Sequence, residues 1–211
     1  MKNYRNRIAD DIPKRKLEGK GAVVIEGPKW CGKTTTAEQI AKSVLYMDDP
    51  SNKAQNITIS ETNPKQLLRG KTPRLIDEWQ IAPKLWDTIR FEVDHRGELG
   101  QFVLTGSAVP ADTHEITHSG TGRFTWLMMR PMSLYESGES NGTVSLKELF
   151  EGKDEIEGYA DLSFERLAFQ FALVVVDMRD EITLDQAIDY YTAVVHSNIN
   201  RADNIKKNQR E

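Results

Sequence analysis

Cysteine is nearly absent: Cys31 is the one such residue in 211. A single thiol excludes an intramolecular disulfide framework and leaves no cluster for structural zinc. The histidines, His95, His114, His118 and His196, keep no ligand spacing with each other or with Cys31, so they suggest no metal site. No apolar stretch reaches the length of a membrane span, and Met1-Lys2-Asn3-Tyr4-Arg5 leads into no signal-type apolar core. The expectation is a cytoplasmic protein with no membrane partner. Charge of neither sign dominates. The 28 Lys+Arg against 32 Asp+Glu give a formal net charge of −4, which singles out neither nucleic acid nor membrane. No internal repeat or long low-complexity segment is evident, and 211 residues leave room for one α/β domain with a small appendage.

What is present centres on residues 22–43, AVVIEGPKWCGKTTTAEQIAKS. An apolar run, Ala22 to Ile25, meets Gly27-Pro28-Lys29-Trp30-Cys31-Gly32-Lys33-Thr34, which fits G-x-x-x-x-G-K-[ST]. Behind it Ala37, Ile40, Ala41 and Val44 follow i, i+3, i+4, i+7, the spacing of one helical face. Strand, glycine loop and helix are the context this motif requires. Gly27 and Gly32 free the backbone to turn its N–H groups inward around phosphate oxygens. The start of the helix, with Lys33, Thr34 and Thr35, adds unpaired donors and the positive end of a dipole. Lys33 would reach the β- and γ-phosphates and the Thr34 hydroxyl would ligate Mg2+. The chain is expected to bind a nucleoside triphosphate. Cys31 stands near a helix N-terminus, which can lower a thiol pKa, but its loop position tolerates many residues and it receives no redox role.

Earlier residues are basic: Arg5, Arg7, Lys14, Arg15, Lys16 and Lys20 fall within 2–20, with a short helix opening at Pro13 and ending at Gly19 or Gly21. A solvated leading segment is the simpler reading of that charge, with phosphate contact the alternative. After the loop and its helix, Val44 to Met47 forms a second strand that ends at Asp48-Asp49-Pro50. Residues 51–63 are polar without a period and form an excursion at the sheet edge, and Lys65 to Leu68 makes a helical turn closed by Gly70.

Arg74-Leu75-Ile76-Asp77-Glu78 delivers two carboxylates to the C-terminal end of an apolar run, the end at which parallel α/β sheets bind ligands. Asp77 suits the Mg2+ site beside Thr34, and Glu78 is placed to orient and polarise an attacking water. Ile81, Leu85, Ile89 and Val93, joined by Trp86, give the next helix its buried face, with Pro83 in the first turn and Gly97 as its stop. Gln101 to Leu104 is a buried strand leading into Thr105-Gly106-Ser107. Hydroxyls there read a γ-phosphate or hold the lytic water, or a strand simply turns into a loop. A fifth strand, Phe124 to Met129, follows the flexible Ser119-Gly120-Thr121-Gly122-Arg123. Arg123 is either a surface residue or a transition-state arginine supplied to a neighbouring subunit.

Four segments, EGPKWCGKTTTAEQIAKSV, LIDEWQ, FVLTGSAVP and GTGRFTWLMMRPMSLYE, resemble the AAA-type ATPase domain that heads a group of two-domain proteins of bacteria and archaea. The similarity runs from about Tyr4 to Glu136 and includes Trp30, Cys31, Trp79 and Met132. It implies a P-loop NTPase with a five-stranded parallel sheet, ATP rather than GTP, and Arg123 as an arginine finger acting within a homo-oligomer. Members continue through a helical segment with a Gly-Gly-Trp-Pro stretch into a nuclease-like domain. Here the chain reads Gln170-Phe171-Ala172-Leu173-Val174-Val175-Val176 after Phe169 and stops at Glu211, the pattern of a truncated relative to which a nuclease role does not transfer.

Beyond Leu146 the pattern is helical. Phe164, Leu167, Ala168, Phe171, Ala172 and Val175 keep one period, and Thr183 with Gln186 forms a capping box ahead of Ala187, Ile188, Tyr191 and Val194. The expected organisation is a basic leader over 1–20, an ATPase core over 21–145 and a lid-like helical segment with a basic tail over 146–211. A GTPase is disfavoured: Asn52-Lys53-Ala54-Gln55 lacks the base-reading acid of Asn-Lys-x-Asp, and Asp94-His95-Arg96-Gly97 lies on a helix. A small-molecule kinase shares the loop, but adjacent Asp77 and Glu78 favour water as acceptor. The function expected is ATP binding with slow Mg-dependent hydrolysis. Its rival is a nucleotide-gated binding module, with nucleic acid as partner and little turnover.

Overall fold

The computed structural model describes residues 4–106, 120–152 and 158. Ser107, Ser119 and the two periodic stretches expected over 164–175 and 183–194 lie outside the described residues. The chain divides into two compact units, Met1–Gly142 and Thr143–Glu211. In the second, the described residues include one helix, Leu146–Phe150.

The first unit is built on five strands, β1 (Ala22–Glu26), β2 (Ser43–Tyr46), β3 (Arg74–Asp77), β4 (Phe102–Gly106) and β5 (Phe124–Met128). They form one parallel sheet in the order β2-β3-β4-β1-β5. The continuous apolar runs of β1 and β4 follow from burial on both faces. Alternate residues part between two cores: Ala22, Val24, Ile76, Phe102 and Leu104 join one, Val23, Ile25, Leu75 and Val103 the other. Helices α4 (Pro64–Leu67) and α5 (Lys84–Arg96) contribute Leu67, Leu85, Trp86, Ile89 and Val93 to the first core. Helices α1 (Asp11–Gly19) and α2 (Lys33–Glu38) contribute Leu17 and Ala37 to the second. Helix α5 ends as the sequence indicates: Gly97, at φ 64°, donates its N–H to the Val93 carbonyl. Ile81 falls before α5, in a 3-10 turn over Trp79–Ile81, and still packs against the first core.

Three expectations are corrected. The helix after the glycine loop does not reach Val44. Beyond Glu38 the chain makes three-residue turn bonds, Gln39 N–H to Thr36 and Ile40 N–H to Ala37 (both 3.2 Å), and after a last bond from Ala41 N–H to Ala37 (3.1 Å), Lys42 N–H reaches the Pro73 carbonyl (2.8 Å). Ser43 pairs with Arg74 and Val44 with Leu75, so sheet pairing takes residues that a helical period also fits. The apolar face is nevertheless real, since Ile40, Ala41 and Val44 pack against the second core. Second, residues 51–63 are not irregular: α3 runs Lys53–Thr62. Its buried positions are Asn56 and Ser60, and a helix that turns polar residues inward leaves no apolar period. Asn56 is satisfied by donating to the Tyr46 carbonyl (3.3 Å).

Third, the basic leader is solvated only in part: Arg5, Lys14 and Arg15 are exposed, but the segment also docks on the domain. Arg7 is buried, Lys16 Nζ donates to Thr125 Oγ1 (3.1 Å), Lys20 Nζ to the Gly122 carbonyl (3.1 Å) and an Arg5 nitrogen to the Ser137 carbonyl (2.9 Å). No helix among the described residues is long and apolar enough to cross a membrane.

Each core grades from fully enclosed aliphatic residues to partly buried ones at its margin. Ile89 has no exposed surface and Ile40 is half-buried. Ile89→Ala should therefore destabilise the protein by ~2–5 kcal/mol and Ile40→Ala by clearly less, read as the shift in urea unfolding. Equal losses would contradict the assignment of Ile40 to a turn at the core margin.

Candidate functional site

The strand β1 ends at Glu26, and the next residue must leave the sheet at once. Gly27 does so at φ 152°, and a Cβ there would lie 2.2 Å from the Met129 carbonyl oxygen and 3.1 Å from Cys31 Sγ. Backbone strain and a backbone clash both restrict this position to glycine. Trp30 (φ 64°) and Gly32 (φ 93°) continue the reversal, and Thr36 N–H then closes on the Gly32 carbonyl (2.9 Å) to open α2. Helix α2 has six residues, so its dipole is a small part of any attraction for anions. Within the loop Lys33 is 6% exposed, and its ammonium donates to the Gly27 (3.0 Å) and Pro28 (2.7 Å) carbonyls. A buried cation held by neutral carbonyls is the group that an arriving phosphate would stabilise.

The second half of the site comes from β3 and β4. Their parallel register sets Asp77 opposite Thr105. Asp77 Oδ1 accepts from Thr105 Oγ1 (2.5 Å) and from Thr34 Oγ1 (2.7 Å). Three segments distant in sequence thus meet at one carboxylate oxygen. A hydroxyl and a carboxylate in contact suit a hard cation that completes its shell with water and phosphate oxygens. No group of three or more His, Cys, Asp or Glu able to hold a metal occurs among the described residues. The Thr105 hydroxyl, for which the sequence leaves open a γ-phosphate, a lytic water or a plain turn, donates to Asp77.

Glu78 breaks from the strand in the left-handed region, φ 54°, ψ 45°. Burial pushes its carboxyl above the usual range; Gln80 hydrogen bonding opposes that, Asp77 adds to it, Lys33 opposes it and Asp48 adds to it. The Gln80 side-chain amide donates to Glu78 Oε2. Gln80 was not singled out from the sequence, because one amide after Asp-Glu-Trp carries no pattern. The same holds for Arg7, which donates to the Cys31 carbonyl (2.7 Å), and for Glu136, to which Arg7 is paired.

The structure therefore gathers Gly27, Pro28, Lys29, Trp30, Cys31, Gly32, Lys33, Thr34, Thr35, Asp77, Glu78 and Thr105 at the C-terminal end of the sheet. Trp30 is 62% exposed, whereas Trp79 is buried against Trp86 with ring centroids 4.9 Å apart. Arg123 is not brought to this group. It precedes β5, and its carbonyl accepts from Gly21 N–H (3.1 Å) and Ala22 N–H (3.3 Å) at the opposite end of β1. Its guanidinium pairs with Asp94 (2.8 Å), and both line a cleft of about 300 Å³ with Lys20, Val93 and Leu99.

The family model described as "AAA domain" matches residues 19–138. No curated protein matches the chain. Among solved structures, AMPPCP-bound DnaA from Aquifex aeolicus is similar at 14% identity and a TM-score of 0.45, over 93% of this chain and 64% of that one. A signal transduction ATPase with numerous domains and a tetratricopeptide repeat sensor, from Pyrococcus horikoshii, is similar at 14% identity and 0.41, over 90% of this chain and 33% of that one. The chain thus spans less than two thirds of the length of either.

The glycine geometry separates two kinds of cost. Gly122 also has a positive φ, 85°, but a Cβ there meets nothing within 4 Å. Gly122→Ala should cost about 1–2 kcal/mol from backbone strain alone. Gly27→Ala should cost clearly more, because the Met129 carbonyl must move as well. Urea unfolding of the two variants checks this, and equal losses would show that the loop is not pressed against the segment after β5.

Proposed function

Because this chain belongs to the AAA domain family, we propose that it binds ATP with Mg2+ through the loop Gly27–Thr34 and hydrolyses it slowly. The observation that carries the reading is the contact of Thr34 Oγ1 with Asp77 Oδ1 at 2.7 Å. It puts the end of the glycine loop and the acidic end of β3 in one place, on opposite sides of β4.

On this reading Lys33 leaves the Gly27 and Pro28 carbonyls for the β- and γ-phosphates, exchanging two neutral acceptors for charged ones. Thr34 and Asp77 hold Mg2+, and Thr105 keeps Asp77 oriented through its second hydrogen bond. When bound, the ion neutralises charge on the phosphate oxygens. Glu78 orients a water, whose oxygen bonds to the γ-phosphorus as the bond to the ADP oxygen breaks. Its half-buried carboxylate takes the proton released.

Slow turnover is supported by two contacts. Glu78 is occupied by Gln80, and Arg123 is paired with Asp94 at the far end of the sheet. An exposed ion pair of this kind is screened by solvent, so it gives way readily to a stronger partner. We assign Arg123 to the γ-phosphate of a neighbouring copy, which makes a homo-oligomer the active form. The Gln80 contact also favours a second reading, a nucleotide-gated binding module that holds ATP with little turnover.

Phosphate release and nucleotide binding separate these readings. Lys33→Ala should abolish ATP binding. Glu78→Gln should bind like the parent while turnover falls by about 10²–10⁴, and Arg123→Ala should bind ATP but lose the rise in specific activity with protein concentration. Parent turnover no faster than that of Glu78→Gln would favour the binding module. ATP binding retained in Lys33→Ala would remove the loop from the account.

A further inference from the structure

The buried guanidinium of Arg7 makes three separate contacts. Nε pairs with Glu136 Oε1 (3.0 Å), one terminal nitrogen donates to the Cys31 carbonyl (2.7 Å) and the other to the Arg130 carbonyl (2.8 Å). The side chains of Arg7 and Glu136 are 4% and 7% exposed. Glu136 is itself fixed on every side. Its Oε1 also accepts from Ile8 N–H (2.7 Å), and its Oε2 from the N–H (2.7 Å) and hydroxyl (2.9 Å) of Ser133. The Ser133 N–H bond, with Glu136 N–H donating to Ser133 Oγ (3.3 Å), makes the capping box that starts α6 (Leu134–Ser137). Burying a carboxylate opposes its ionisation, but the N–H groups of Ser133 and Ile8, the Arg7 guanidinium and the Ser133 hydroxyl outweigh this and hold its carboxyl below the usual range. The arginine is therefore held rigidly before any ligand arrives.

Its contact with the loop is to backbone, which gives it a consequence beyond stability. A trans peptide is planar, with C=O and N–H on opposite sides. Fixing the Cys31 carbonyl toward Arg7 turns the Gly32 N–H away from Arg7. Gly32 allows the close approach, since a Cβ there would lie 3.1 Å from the same terminal nitrogen. The other end of the loop is set independently, by Gly27 pressed against the Met129 carbonyl and by Met129 N–H bonded to the Glu26 carbonyl (2.7 Å). Arg7 adds the second anchor and ties it to Arg130, the next residue of the same segment.

We propose that Arg7, oriented by Glu136, is a positioning residue for the phosphate loop: it fixes the Cys31–Gly32 peptide with its N–H available to a phosphate oxygen. The proposal rests on the reading of the loop as a nucleotide site. A purely structural strut would lower the unfolding temperature and leave the affinity of the folded protein unchanged. A positioning residue changes affinity at fixed fold.

The experiment compares the parent with Arg7→Lys, Arg7→Met, Glu136→Gln and Lys33→Ala. Calorimetric titration with ATP and Mg2+ is paired with thermal unfolding in the absence of nucleotide. Lysine keeps the charge beside Glu136 but cannot span three acceptors. Arg7→Lys should remain folded at the titration temperature and bind ATP about tenfold or more weakly, the scale of one lost charge-assisted hydrogen bond. Glu136→Gln keeps an acceptor of the same shape and should weaken binding in the same direction, which covers the case in which the Arg7 variants do not fold. Affinity equal to the parent in folded Arg7→Lys or folded Glu136→Gln overturns the proposal while leaving the nucleotide site intact. A parent that does not bind ATP overturns the underlying reading, and the role of Arg7 with it.

Discussion

One carboxylate oxygen organises the site. Asp77 Oδ1 accepts hydroxyls from Thr34, at the end of the loop after β1, and from Thr105, on β4. The Thr105 bond needs β3 and β4 in register, and the Thr34 bond needs β1 beside β4 with the C-terminal ends level. That arrangement follows from the two-faced burial of the sheet: alternate residues of β1, β3 and β4 supply two cores, and a one-residue slip would exchange them. Core packing thus sets the register, and the register sets the position of Asp77.

The glycine loop is held from outside the sheet. Gly27 is pressed on the segment that follows β5, and the Cys31 carbonyl is held by Arg7 and, through it, by Glu136. The two ends of the sheet consequently differ in character. At the C-terminal end Lys33 is buried on two neutral carbonyls, and the partly buried Asp77 and Glu78 accept from two hydroxyls and from the Gln80 amide. At the N-terminal end Arg123 and Asp94 form an exposed pair beside a small cleft. On the proposed reading the first end binds nucleotide, and the second presents a cation to a neighbouring copy.

Much of this was legible in the sequence where the signal is local. The loop motif, the strand before it, the acidic end of β3, and the helix from Leu85 to its stop at Gly97 each occupy a short stretch with its own chemistry. Residues that act by folding back were not legible. Arg7 looks like one of several leading basic residues, and only the fold brings it to Glu136, 129 positions later. Helix α3 was missed because Asn56 and Ser60 face inward, and the reach of α2 was overestimated because Val44 satisfies a helical period while pairing as a strand. In each case a tertiary partner outside the sequence window decided the outcome.

The central claim is that Lys33, Thr34 and Asp77 form one nucleotide–Mg2+ site. A crystal structure of the chain with Mg2+ and a non-hydrolysable β,γ-methylene analogue of ATP tests it most directly. The account predicts that Lys33 Nζ has left the Gly27 and Pro28 carbonyls for phosphate oxygens, with the metal beside Thr34 Oγ1 and Asp77. A nucleotide bound elsewhere, with Lys33 still on those two carbonyls, would contradict it.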